Sequence, residues 1–257
     1  MRHCSSYHVL LLFGFSFFLP AQGSDPWNQF RGPNGSGIRA DASIGVPSVD
    51  DLLWKTPLPF GLSCPVLSED KIFLTGMENK SLLTIALERE SEKVLWKKKA
   101  PKTEIEKFHP SSSPVTPTPF VEEKRLYIYF GSYGLICYDH QGLEIWKKPL
   151  PTPRSLYGTA SSPLVYKNLL IQVIDDDAHM PNSQVSRSRI LALDKESGEI
   201  IWDRFRPFHR SGWSTPTIWE HGGSRELVVL GNGSLRGYSL PDGEETWQVD
   251  GFSRETI

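Results

Sequence analysis

The run Ile-Asp-Asp-Asp-Ala-His at 174–179 is the densest set of potential ligands in this chain. Asp175 and Asp177, with Asp176 and His179 beside them, offer the carboxylate oxygens a hard cation takes. The alternate carboxylates and central glycine of a calcium loop are missing, so the competing reading is a solvated loop after a strand. A second set is aromatic and cationic. His109 in Phe-His-Pro-Ser-Ser-Ser-Pro and Arg210 in His-Arg-Ser-Gly-Trp-Ser-Thr-Pro each precede a small-residue phrase. Tyr157 and Trp213 hold similar places, and the four could form an aromatic and cationic rim for a ligand such as a sugar or a peptide. Loop capping and packing are the competing reading. Ser111, Ser112, Ser161 and Ser162 lie in no Gly-x-Ser-x-Gly elbow and recur between repeats, which marks them as structural. No catalytic residue is assigned.

These residues sit between recurring elements. Tryptophan ends a similar phrase at Trp54, Trp96, Trp146, Trp202 and Trp247, with spacings of 42, 50, 56 and 45 residues. Before each of the last four comes the same succession. A small-residue phrase with proline opens it (62–67, 111–121, 159–166, 212–219). Two apolar runs rich in β-branched and aromatic residues follow, then a polar turn and the tryptophan strand. Four short strands per unit at this period predict an all-β chain, a β-propeller of four-stranded antiparallel blades. The small-residue strand is expected innermost, at four to seven residues like the others, and the tryptophan strand outermost.

The turn before the tryptophan is the most specific feature. In Ala-Leu-Asp-Lys-Glu-Ser-Gly-Glu-Ile-Ile-Trp, Ala192, Asp194, Gly198 and Trp202 occupy positions 1, 3, 7 and 11. Ala192 is small enough to admit a neighbouring indole, Asp194 can cap the turn amides, and Gly198 supplies a positive φ. Ala86 and Trp96 keep the spacing, and Gly142 and Gly243 keep their offset from Trp146 and Trp247.

Composition bounds the rest. A net charge of −2 argues against a nucleic-acid partner but leaves room for a local basic patch. Residues 1–23 read as a signal peptide: Arg2 and His3, an apolar run from Val9 to Pro20, then Ala21-Gln22-Gly23. The run is too short to span a bilayer comfortably, so no stable membrane insertion is expected after cleavage. Residues 24–51 form an irregular segment, and 52–257 hold the repeats. Cys64 and Cys137 fall in different repeats and are expected as two buried thiols.

The eleven-residue motif resembles the tryptophan-docking motif of the pyrroloquinoline-quinone-like (PQQ-like) β-propeller repeat family. The phrase Trp-Asn-Gln-Phe-Arg-Gly-Pro-Asn-Gly-Ser-Gly at 27–37 is similar to the opening of its exported members. The resemblance implies a ring of seven or eight blades. About four complete blades are present, and the phrase at 52–58 reads as an outermost strand without inner strands of its own, so the sequence is expected to be a partial ring. It also implies two kinds of function. Some members are quinone-dependent dehydrogenases needing PQQ and calcium; others are scaffolds without a cofactor. No quinone or calcium ligand set can be matched onto this chain, and a vicinal cysteine pair is absent. The expectation is an exported, non-catalytic binding or scaffold module with a protein or carbohydrate partner on one face, periplasmic or extracellular. The alternatives are a fragment of a PQQ-dependent dehydrogenase and a structural envelope protein.

Overall fold

A computed structural model describes residues 27–38, 45–46, 48–178, 186–207, 209–210, 212–231 and 233–252. The expected leader at 1–23 and His179 lie outside the described residues.

Among the described residues, sixteen strands form four separate four-stranded sheets, each antiparallel and each in chain order. The first blade holds β1 (Val66–Leu67), β2 (Lys71–Glu78), β3 (Ser81–Glu88) and β4 (Val94–Lys99). The second holds β5 (Phe120–Val121), β6 (Leu126–Phe130), β7 (Gly134–Tyr138) and β8 (Glu144–Pro149). The third holds β9 (Leu164–Tyr166), β10 (Leu169–Ile174), β11 (Arg189–Asp194) and β12 (Ile200–Phe205). The fourth holds β13 (Thr217–His221), β14 (Ser224–Leu230), β15 (Ser234–Ser239) and β16 (Glu245–Asp250). This is the blade order expected, in a partial β-propeller whose sheets do not close into a ring.

Burial follows position in the arc. β6, β7 and β10 are buried along their whole length, because blades cover both of their faces. β14, in the last blade, alternates instead, with Leu227 and Val229 buried between exposed or half-buried neighbours. The main core joins the second, third and fourth blades through Tyr127, Ile171, Ile190, Leu227 and their neighbours.

Two sets of bonds join successive blades. At the outer radius, each tryptophan donates from Nε1 to a turn carbonyl of the next blade: Trp96 to His140 (3.1 Å), Trp146 to Lys195 (2.9 Å) and Trp202 to Leu240 (3.0 Å). The glycine at position 7 makes the seat. A Cβ on Gly142, Gly198 or Gly243 would lie within about 3 Å of the indole arriving from the preceding blade. Their φ values, 79°, 73° and 74°, suit glycine as well. Asp194 caps its turn as expected, accepting from the amides of Glu196 and Ser197. The indole that Ala192 accommodates is that of its own blade: Ala192 pairs with Trp202 across β11 and β12, as Ala86 pairs with Trp96. The register shifts immediately after that pair in all four blades, and such a bulge re-aims the tryptophan. Trp247 bonds within its own blade, to Glu226 Oε2.

At the inner radius the joint is a hydroxyl relay. The amide of Cys64 donates to Thr118 Oγ1 (3.0 Å), that of Thr118 to Ser162 Oγ (2.9 Å), and that of Ser162 to Thr215 Oγ1 (3.0 Å). Each residue stands two places before its inner strand, with proline between. This corrects the expected inner strands. β1 and β5 have two residues and β9 three, because proline has no amide to donate and side-chain oxygens serve in place of a strand partner. Two further expectations change. Residues 52–58 form no strand, although Trp54 still donates to the Arg89 carbonyl as an outer strand's indole would. Both cysteines are free thiols, but Cys64 is only half-buried, since it lies in the loop before β1; Cys137 is buried and its thiol is pushed up to about 12 by burial.

The irregular segment has a definite place. The main chain of Trp27 and Asn28 runs along the inner edges of the blades: Trp27 O accepts from Leu67 N–H, and Asn28 O from Val121 N–H, both at 2.8 Å. Asn34 then acts as a one-residue strand. Its Nδ2 donates to Ile218 O (2.7 Å) and its Oδ1 accepts from Ile218 N–H (3.0 Å).

Candidate functional site on the loop face

In each blade the second-to-third hairpin and the loop to the next blade emerge on one face; the tryptophan-seating turns lie on the other. Among the described residues, the loop face gathers 100–119, 131–133, 150–163, 175–178, 206–207, 209–210, 212–216, 231 and 233. All six residues expected at a site stand there.

Three of them form a row. The His109 and Tyr157 rings lie 4.9 Å apart, and Tyr157 meets Trp213 edge-on at 5.3 Å. The row is braced from below. Trp213 Nε1 donates to Gly158 O (2.8 Å), and His109 N–H donates to Tyr157 O (3.4 Å). Gly158 has φ 92°, and a Cβ there would lie 3.0 Å from Phe108 Cβ, so Phe108 extends the aromatic surface toward the first blade. His109 is exposed; Tyr157 and Trp213 are half-buried.

Arg210 faces Asp177, 3.6 Å away. Asp175 lies against Arg206, and this ion pair is fully buried. Burial alone would lower Arg206; the Asp175 carboxylate outweighs it and holds the guanidinium above its ordinary value. Both aspartates expected to meet a metal thus face arginines, and no group of three or more His, Cys, Asp or Glu side chains gathers around an ion site among the described residues. The expected solvated loop is also corrected. Asp175 and Asp176 are buried, because Ser188, Arg206 and His209 close over them. Asp176 N–H donates to Ser188 Oγ (2.8 Å), whose own hydroxyl reaches the carbonyl of His209 (3.0 Å).

Two titratable groups escaped sequence reading. Glu106 is 7% exposed, and burial raises its carboxyl to about 7 against the opposing pull of the Thr159 hydroxyl at 2.8 Å. Its other oxygen, Oε2, and the Tyr129 hydroxyl have no hydrogen-bond partner among the described residues. A Cβ on Gly131 would lie 2.5 Å from Glu106 Oε2, so the glycine makes room for the carboxyl. His209 is 2% exposed and its ring is pushed down to about 3, first by burial and then by Arg206 and Arg236. A glutamate within Lys-Thr-Glu-Ile-Glu-Lys reads as surface. Only the glycines packed against these groups, Gly131 and Gly231, were signals, and neither is distinctive alone.

Comparison with known proteins places this geometry. The family model described as outer membrane protein assembly factor BamB matches residues 40–211, more than half of the chain. No curated protein sequence matches. Among solved structures, the quinohemoprotein alcohol dehydrogenase of Comamonas testosteroni aligns over 88% of this chain and 41% of its own, with TM-score 0.62 and 14% identity. A europium-containing methanol dehydrogenase aligns over 77% and 43%, with TM-score 0.55 and 10% identity. BamB from Moraxella catarrhalis aligns over 78% and 53%, with TM-score 0.48 and 14% identity. At these identities the likeness is one of fold. The chain spans about half or less of each of these structures.

Proposed function

Because this chain belongs to the PQQ-like repeat propellers of the BamB family, we propose that it is an exported, non-catalytic scaffold that binds a protein partner through its loop face. The aromatic row carries this reading. Rings pre-set by packing lose little freedom on binding, and aromatic residues concentrate binding energy at protein interfaces. His109, Tyr157 and Trp213 come from three successive inter-blade loops, so a rigid set of blades fixes their spacing. The buried Asp175–Arg206 pair and the Ser188 bridge support the same loops from beneath. The export and periplasmic location in this proposal rest on the leader-like residues 1–23 and on the family.

The test is a photo-crosslinking side chain at Tyr157, compared with the same side chain at Lys124, which lies in the turn between β5 and β6 on the opposite face. In intact cells a discrete protein adduct identified by mass spectrometry is expected from 157 and not from 124. Equal adducts from both positions, or none from 157 in folded protein, would overturn the assignment.

A further inference from the structure

We propose that a groove continuous with the aromatic row receives an acidic, extended peptide segment bearing an apolar anchor. The inference rests on the loop-face reading and names the chemistry of the partner. The groove encloses about 910 Å³ between the hairpin of β2 and β3 and residues 99–108. Met77, Leu82, Pro101, Ile105 and Phe108 give it an apolar lining. Phe108 also packs on Gly158, and this joins the groove to the Tyr157 end of the row.

Its rim is cationic. Lys80, Lys99 and Lys102 line it and are exposed. None has a carboxylate partner among the described residues, and neither do Lys97, Lys98 and Lys107 in the same segment, although Lys71, Lys147 and Lys195 do. The segment Lys97–Lys107 concentrates five lysines in a chain whose net charge is −2. The exposed acid on the rim is Glu104; Glu106, at the inner end, is buried.

The arrangement selects the occupant. Lys80 stands on a hairpin tip, Lys99 at the end of β4 and Lys102 in the following loop, so the charges surround the apolar lining rather than converge on one point. Spaced carboxylates along an extended chain can meet them while an apolar side chain enters between.

The experiment uses the full chain and a fluorescein-labelled peptide alternating glutamate with leucine and phenylalanine, read by anisotropy. Saturable binding is expected, weakening as salt rises from roughly 50 to about 300 mM because exposed charges are screened. Lys99→Glu with Lys102→Glu should weaken it about tenfold or more, the scale expected from reversing two exposed charges. Lys99→Arg with Lys102→Arg should retain it, and Lys124→Glu should leave it unchanged. Equal loss in Lys124→Glu, or equal binding of a peptide with lysine for glutamate, would overturn the proposal. So would vesicles of anionic phosphatidylglycerol that bind the same lysines while the peptide does not. If the crosslink from position 157 persists in the Lys99→Glu, Lys102→Glu protein while the peptide never binds, the groove inference fails and the loop-face reading stands.

Discussion

The indole of Trp146 lies against the α-carbon of Gly198 in the next blade, so close that a Cβ there would be 2.7 Å from its ring, and its Nε1 donates to Lys195 O beside it. One residue therefore serves two demands, the φ of 73° in its own turn and the seat for a neighbour's side chain.

Gly198→Ala should cost about 2–4 kcal/mol in urea denaturation, combining left-handed strain with displacement of the ring. Gly222→Ala is the control. It shares a positive φ of 53° but meets nothing within 4 Å, so it should cost about 1 kcal/mol. Equal losses would show that the seat contributes nothing beyond backbone strain.

Arg206→Met removes the counter-charge of a fully buried carboxylate, and the loss should be about 3–5 kcal/mol. Adding Asp175→Leu to the same chain should recover much of it, since the orphaned charge goes too. A single variant that loses under about 1 kcal/mol would mean that solvent reaches Asp175.

Glu106 and His209 pull stability in opposite directions with pH. The folded pKa of Glu106 is raised to about 7 from 4.5, so its favourable contribution is complete below 4.5 and is lost as pH rises through 7. The folded pKa of His209 is lowered to about 3 from 6.5, so stability is lost as pH falls from 6.5 toward 3. Glu106→Gln should therefore flatten the decline between pH 4.5 and 7 and stabilise the chain at pH 8 by on the order of 2–3 kcal/mol. His209→Gln should flatten the acid limb alone. Denaturation across that range measures both, and unchanged slopes would place the two groups in contact with water.

Asn34→Gly keeps the left-handed backbone available and removes the side-chain amide that pairs with Ile218. The amide of Ile218 should then exchange about fivefold faster, corresponding to a net hydrogen bond of about 1 kcal/mol. The amide of Leu83, within the first blade, should be unaffected. Unchanged exchange at Ile218 would mean that Asn34 does not hold β13.

The blades were legible because tryptophan, glycine and apolar runs recur at one period, and each recurrence reports the same local geometry. Ser162 was legible as a structural repeat, but not as part of a relay with Thr215: that role depends on the neighbouring blade, and single residues before proline give no sign of it. The row formed by His109, Tyr157 and Trp213 was visible as three equivalent loop positions. The fates of Asp175 and Asp177 were not, because the guanidiniums they face, Arg206 and Arg210, come from beyond the next two strands. Glu106 was missed for the same kind of reason, since its burial is made by Gly131 and Thr159 of later elements.

The hydroxyl relay and the indole bonds join the same pairs of blades at two distances from the axis. One attachment alone would be a pivot, about which a blade could swing like a vane. Two, set at either end of a blade's width, turn any such swing into stretching of a hydrogen bond. Each joint then resists torque, and a load applied to one loop of the row is shared by its neighbours as by the staves of a hooped cask.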